Sequence, residues 1–65
     1  MESSDTVRRA FEEDGKLFVS FRRHAAYYHV PLQQAALCAK IREALDEEEE
    51  IFFTHDSALK ISSIR

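Results

Sequence analysis

Val7-Arg8-Arg9-Ala10-Phe11-Glu12-Glu13-Asp14-Gly15-Lys16-Leu17-Phe18-Val19-Ser20-Phe21 can be read in two ways, and the choice between them decides the fold. In the first, Ser4 or Asp5 caps a helix over about residues 4 to 13. Val7, Ala10 and Phe11 then fall at i, i+3 and i+4, a narrow apolar stripe that Asp14-Gly15 terminates. In the second, Asp14-Gly15 is the turn of a hairpin between Val7-to-Phe11 and Lys16-to-Phe21. A half-buried strand needs alternating apolar and polar residues, and Arg8-Arg9 interrupts that alternation. The helix is therefore the favoured reading.

Outward from this stretch, Lys16-Leu17-Phe18-Val19 is aromatic and β-branched and reads as a short strand. Ser20 can cap the next element, and Phe21, Ala25 and Tyr28 at i, i+4 and i+7 predict a second short helix to about His29. Pro31 disfavours helix at Val30 and suits the first turn of a new one, so the two helices should meet at a tight corner. The third helix, about Pro31 to Glu47, has Leu37, Cys38, Ile41, Ala44 and Leu45 as its core stripe. Its opposite face carries Leu32, Gln33, Ala36, Ala39, Lys40 and Glu43, a smooth mixture of small and polar groups. The acidic run Asp46 to Glu50 opposes the helix dipole and should fray the last turn. Ile51 to Thr54 and Leu59 to Ile64 are strand candidates around His55-Asp56-Ser57-Ala58, which reads as a C-terminal hairpin.

A chain of 65 residues has room for one core, and 45% hydrophobic residues with five Phe and two Tyr can fill it. One domain over residues 1 to 65, of the α+β class, is expected. The lone Cys38 can form no internal disulfide, which favours a reducing compartment, cytoplasmic or nuclear. No apolar stretch approaches the roughly 20 residues that span a bilayer, and no signal-peptide pattern opens the chain. The net charge of -3 is unevenly placed. Residues 1 to 31 carry five basic and five acidic groups, whereas residues 32 to 65 carry four basic and seven acidic ones. That balance argues against indiscriminate nucleic-acid binding but leaves room for a local basic face.

The expected order, helix, short strand, helix, tight corner, long helix and two-stranded hairpin, is similar to the winged-helix branch of the helix-turn-helix superfamily. The residues that carry the resemblance are Phe21 to Ala35. Within them Ala25 would be the small residue where two helices touch, Tyr28 and Val30 the apolar pair around the turn, and Ala35 a core-facing position. His29 departs from the pattern, since that turn position is often Gly, which takes the left-handed conformation cheaply. The resemblance implies either a DNA reader within a transcription-regulating assembly or a protein-binding module.

For the first, Arg22, Arg23 and Lys60 would contact phosphates, and Gln33, Gln34 and Lys40 would face base edges. For the second, Leu32, Ala36 and Ala39 would form the contact of a homodimer, or of an adaptor or inhibitor of a larger complex. The element order favours the first. His24, His29, His55 and Cys38 lack the paired spacings of zinc ligands, so no metal and no cofactor is expected. No phosphate-cradling glycine loop and no nucleophile motif is present, so neither an enzyme nor a small-molecule substrate is expected.

Overall fold

In the computed structural model, which describes residues 1–65, Asp14 and Gly15 turn a hairpin and do not end a helix. Both are left-handed, with φ of 50° and 73°, the geometry whose twist matches that of two flanking strands. Strand β1 (Glu2–Glu13) enters the turn and β2 (Lys16–Phe21) leaves it. Glu13 pairs with Lys16, Glu12 with Leu17 and Phe11 with Phe18, so Leu17, Val19 and Phe21 face inward and are buried.

The Arg8-Arg9 interruption is absorbed by a β-bulge. Arg9 pairs with Ser20, but the next pair is Val7 with Phe21, which leaves Arg8 as the extra residue. Without it, Val7 would share the outward face of Arg9 and Phe11, because side chains alternate along a strand. The bulge reverses that parity, and Val7 and Asp5 are both buried. It also bends β1, whose far end from Glu2 to Thr6 pairs with a different strand.

That strand is β4 (Glu50–His55), reached through β3 (Tyr27–Pro31) and the single helix α1 (Ala35–Glu47). β5 (Ile61–Ile64) completes a sheet ordered β3-β2-β1-β4-β5, with every neighbouring pair antiparallel. The outer strands β3 and β5 meet through a parallel bridge, His29 to Lys60, with the His29 amide donating to the Leu59 carbonyl at 3.0 Å. Five strands so connected, with β1 shared between two halves and a helix between β3 and β4, have the connectivity of the OB-fold, a partly open Greek-key barrel. Phe21 and Phe53 stack at its centre, 4.5 Å apart, with Tyr28 edge-on to both. Cys38, Ile41 and Ala44 of α1 belong to the same core.

The winged-helix expectation is therefore overturned: there is one helix where three were expected, and the strands dominate. Residues 4 to 13 are strand because pairing on both sides of the bulge satisfies their backbone groups, which outweighs a three-residue stripe. The second helix is replaced by a connection over residues 22 to 26 and by β3, in which Tyr28 and Val30 point inward with the period of a strand. His29 takes no left-handed turn conformation. Pro31 closes β3, where a missing N–H is tolerated at the edge of the sheet, so the helix begins at Ala35 and not at the proline. It runs to Glu47, where left-handed Glu48 ends it: the amides of Glu48 and Glu49 donate to the carbonyls of Leu45 and Ala44. The C-terminal strands lie close to their expected places.

Gly15→Ala tests the turn. The added methyl meets nothing within 4 Å, so only the left-handed backbone opposes it. Urea unfolding should show a loss of about 1 kcal/mol; an unchanged midpoint would remove the turn as a determinant of the hairpin.

Candidate protein-docking face

Asp5 is inaccessible to solvent, carried inward by the bulge, and its carboxylate organises the connection after β2. It accepts from the backbone amides of Thr6 at 2.7 Å and Arg23 at 2.8 Å, from Arg23 Nε at 3.3 Å and from His24 Nδ1 at 2.5 Å. Burial alone would raise its pKa, but these hydrogen bonds to the charged form outweigh it and hold the carboxyl below the ordinary 3.8. Arg23 is thereby committed: besides Asp5 it donates to Glu50 at 2.7 Å and to the Ser4 carbonyl at 3.2 Å, and both carboxylates raise its pKa. His24 packs edge-on against Phe21, Tyr28 and Phe53. The β2–β3 connection is in this way pinned to the barrel from below, leaving Arg22 exposed beside it.

The outward-facing residues of β1, β2 and β3 form rows across the three strands. One row is Phe11, Phe18 and His29, and the next is Arg9, Ser20 and Tyr27. Phe11 stacks on Phe18 with ring centroids 5.5 Å apart, and Tyr27 meets Phe11 edge-on at 5.7 Å. Phe11 is 40% and Tyr27 47% exposed, so the rings make one contiguous apolar surface open to solvent. Such patches, rimmed by polar groups, mark interaction sites. Phe52 is also exposed, but it lies alone on the other half of the barrel beneath the Arg65 guanidinium.

A cleft of about 310 Å³ adjoins the aromatic patch, lined by Arg8, Arg9, Ser20, Arg22, Arg23 and Tyr27 among others. Of the residues singled out from the sequence for phosphate and base contacts, Arg22 and Arg23 meet here. Lys40 lies elsewhere, its Nζ 3.4 Å from the Ile64 carbonyl. Lys60 sits at the barrel seam and Gln33 and Gln34 in the turn before α1, so the structure does not gather the six into one surface. Of the alternative contact residues, Ala36 and Ala39 are exposed on α1, while Leu32 is half-buried against the chain's own core. Arg8, Arg9, Phe11 and Phe18 were missed. The available signal was the Asp14-Gly15 turn, which, taken as a hairpin, places Phe11 opposite Phe18.

Two further arrangements bear on chemistry. His55 Nδ1 donates to the Asp56 carbonyl at 3.1 Å, which in the neutral ring leaves Nε2 to accept from Ser3 Oγ at 3.2 Å. This has the spacing of a nucleophile and base, but neither residue lines a cleft. Three or more metal-ligating side chains nowhere converge. Asp56 instead orders the β4–β5 loop, its Oδ1 accepting from the amides of Ala58 and Lys60 at 2.9 and 3.0 Å. The Lys60 amide, above all, holds its pKa below the ordinary carboxylate value.

The fold defines the class to which the chain can be compared, a small OB-type barrel with an exposed aromatic face. Among solved structures it is similar to a mutant of pro-protein-glutaminase, with a TM-score of 0.85, 17% sequence identity and 95% of this chain covered. The chain corresponds to only 23% of the length of that protein, and at this identity the likeness establishes the fold alone. No protein-family profile and no curated protein matches the sequence. The likeness to a barrel of this kind also removes the helix-turn-helix basis for reading the chain as a DNA-binding transcription regulator.

The sign of the Asp5 shift sets the acid behaviour. A carboxyl held below 3.8 in the folded chain contributes stability that is present above about that pH and is lost as pH falls through the folded value. Asp5→Asn should therefore lose about 2 kcal/mol at neutral pH by urea unfolding. The difference from the wild type should narrow as pH falls below the ordinary 3.8. A pH-independent difference would show that the charge of Asp5 contributes nothing.

Proposed function

We propose that this chain is a non-catalytic protein-binding domain that packs on a catalytic domain of the glutaminase type, as the pro-segment of a precursor enzyme would. The observation that carries the reading is the contiguous Phe11, Phe18 and Tyr27 surface on the outer face of β1, β2 and β3. Aromatic side chains left in water on a small domain are stabilised by burial against a partner, and aromatic anchors dominate binding energy at protein interfaces. The structural likeness supports the class of partner: the similar protein is a precursor form, and the part resembling this chain is a minor fraction of it. The aromatic face is preferred to Ala36 and Ala39, because methyl groups offer little apolar area and exposed Gln33, Lys40 and Glu43 accompany them in the sequence of α1 and the turn before it.

The test is to add the chain to mature protein-glutaminase and follow both binding, by calorimetry, and ammonia release from a protein substrate. Binding with Kd of about 10 µM or tighter, with loss of activity, is expected. Phe11→Thr together with Tyr27→Thr, which retain strand preference, should weaken it at least about tenfold. Absence of binding by the wild-type chain removes the glutaminase-type partner. Binding unaffected by the double variant, but lost on Ala36→Arg, moves the interface to the helix.

A further inference from the structure

Beside the aromatic patch the bulge creates a second surface, whose role rests on the protein-binding reading. Consecutive residues of a regular strand point to opposite faces. Arg8 and Arg9 nevertheless line the same cleft, because the bulge places both on one side of the strand pair. Neither takes part in any salt bridge, although the chain carries twelve carboxylate side chains. Arg22, across the same cleft, reaches only Glu48, at 3.9 Å and with both side chains largely exposed, a contact of little energetic weight. Arg23, by contrast, is occupied by Asp5 and Glu50. Three guanidinium groups thus remain uncommitted in one concavity, with the exposed ring of Tyr27 at its border.

We propose that this cleft is a carboxylate-binding site, receiving an acidic side chain of the partner protein while the neighbouring residues of that partner cover Phe11, Phe18 and Tyr27. The planar fork of a guanidinium matches a carboxylate in bidentate geometry, and two forks from adjacent residues can hold one carboxylate from two directions. Ser20 and Tyr27 line the same cleft, and each carries a hydroxyl able to donate. Charge complementarity favours a single acidic side chain over a polynucleotide. Glu48 and Glu50 approach Arg22 and Arg23 at the rim, so a strand of regularly spaced phosphates leaving the cleft on that side would meet the acidic run from Asp46 to Glu50.

The experiment is an amide NMR titration of the labelled 65-residue chain with a capped hexaglutamate peptide, and separately with hexathymidylate, at low and then moderate salt. The peptide should shift the amides of Arg8, Arg9, Arg22 and Tyr27, with the effect fading as salt rises. Arg8→Gln with Arg9→Gln should weaken peptide binding at least about fivefold while leaving the rest of the spectrum in place. Peptide shifts confined to other regions, or equal affinity for the double arginine variant, would overturn the site; tighter binding of hexathymidylate would make it a phosphate site instead. The same variant added to mature protein-glutaminase separates the two readings. If it binds as tightly as the wild type, through Phe11 and Tyr27, the carboxylate site falls and the docking face stands. If the wild type ignores the enzyme but binds the peptide at the cleft, the glutaminase-type partner falls and the carboxylate site stands.

Discussion

The extra residue at Arg8 is the feature on which the rest of the barrel depends. A twelve-residue strand cannot serve two halves of a barrel unless it bends, and it cannot bury Val7 and Asp5 while exposing Arg9 and Phe11 unless its alternation is broken once. One bulge does both. It turns the β1 edge toward β4 and delivers a carboxylate to the interior, where the amide of Arg23 and the imidazole of His24 meet it. An ionised carboxylate in an apolar core is destabilising unless it is fully hydrogen-bonded, and here the four donors come from two segments that would otherwise have little reason to approach each other. The β2–β3 connection has its shape because Asp5 demands partners.

The same break in alternation is why the amino-acid sequence is misleading at this point. Arg8-Arg9 argues against a strand only if every residue must obey the period of two. With one residue removed from the count, Asp5 and Val7 on one side and Ala10 and Glu12 on the other fall into step. Asp14-Gly15 was the stronger local signal, since two successive left-handed residues suit a hairpin and not the end of a helix, but the interruption at Arg8-Arg9, beside three apolar residues at helical spacing, outweighed it. Residues 21 to 29 were ambiguous for a related reason: Phe21, Ala25 and Tyr28 satisfy a helix, while Tyr28 and Val30 satisfy a strand, and only pairing with β2 decides. The helix core stripe and the final strands were legible because their periodicities are long enough, or their neighbours polar enough, to admit one reading.

The candidate site was legible only in part. Arg22 and Arg23 stood out as a basic cluster, and the barrel does place them at a cleft, though Arg23 is largely occupied in holding Asp5. Phe11 was assigned to the apolar stripe of a helix, and Phe18 was placed on a short strand without a face. Their exposure follows from hairpin register, a non-local property that no window of sequence contains. The acidic helix end was legible as the run Asp46 to Glu50, but the basic, aromatic face emerges only when β1 and β2 are laid side by side.

The barrel is held shut between β3 and β5 by little: one isolated bridge at His29 and Lys60, against three to six paired residues at each other junction. That seam is where the wall parts most readily, so the His29 amide should trade its proton with solvent by local fluctuation, long before global unfolding. His29 also stands in the outward row beside Phe18, with ring centroids 6.1 Å apart. Any molecule resting on that row therefore lies against the seam, and it would change how often the seam opens only by binding the closed and open walls unequally.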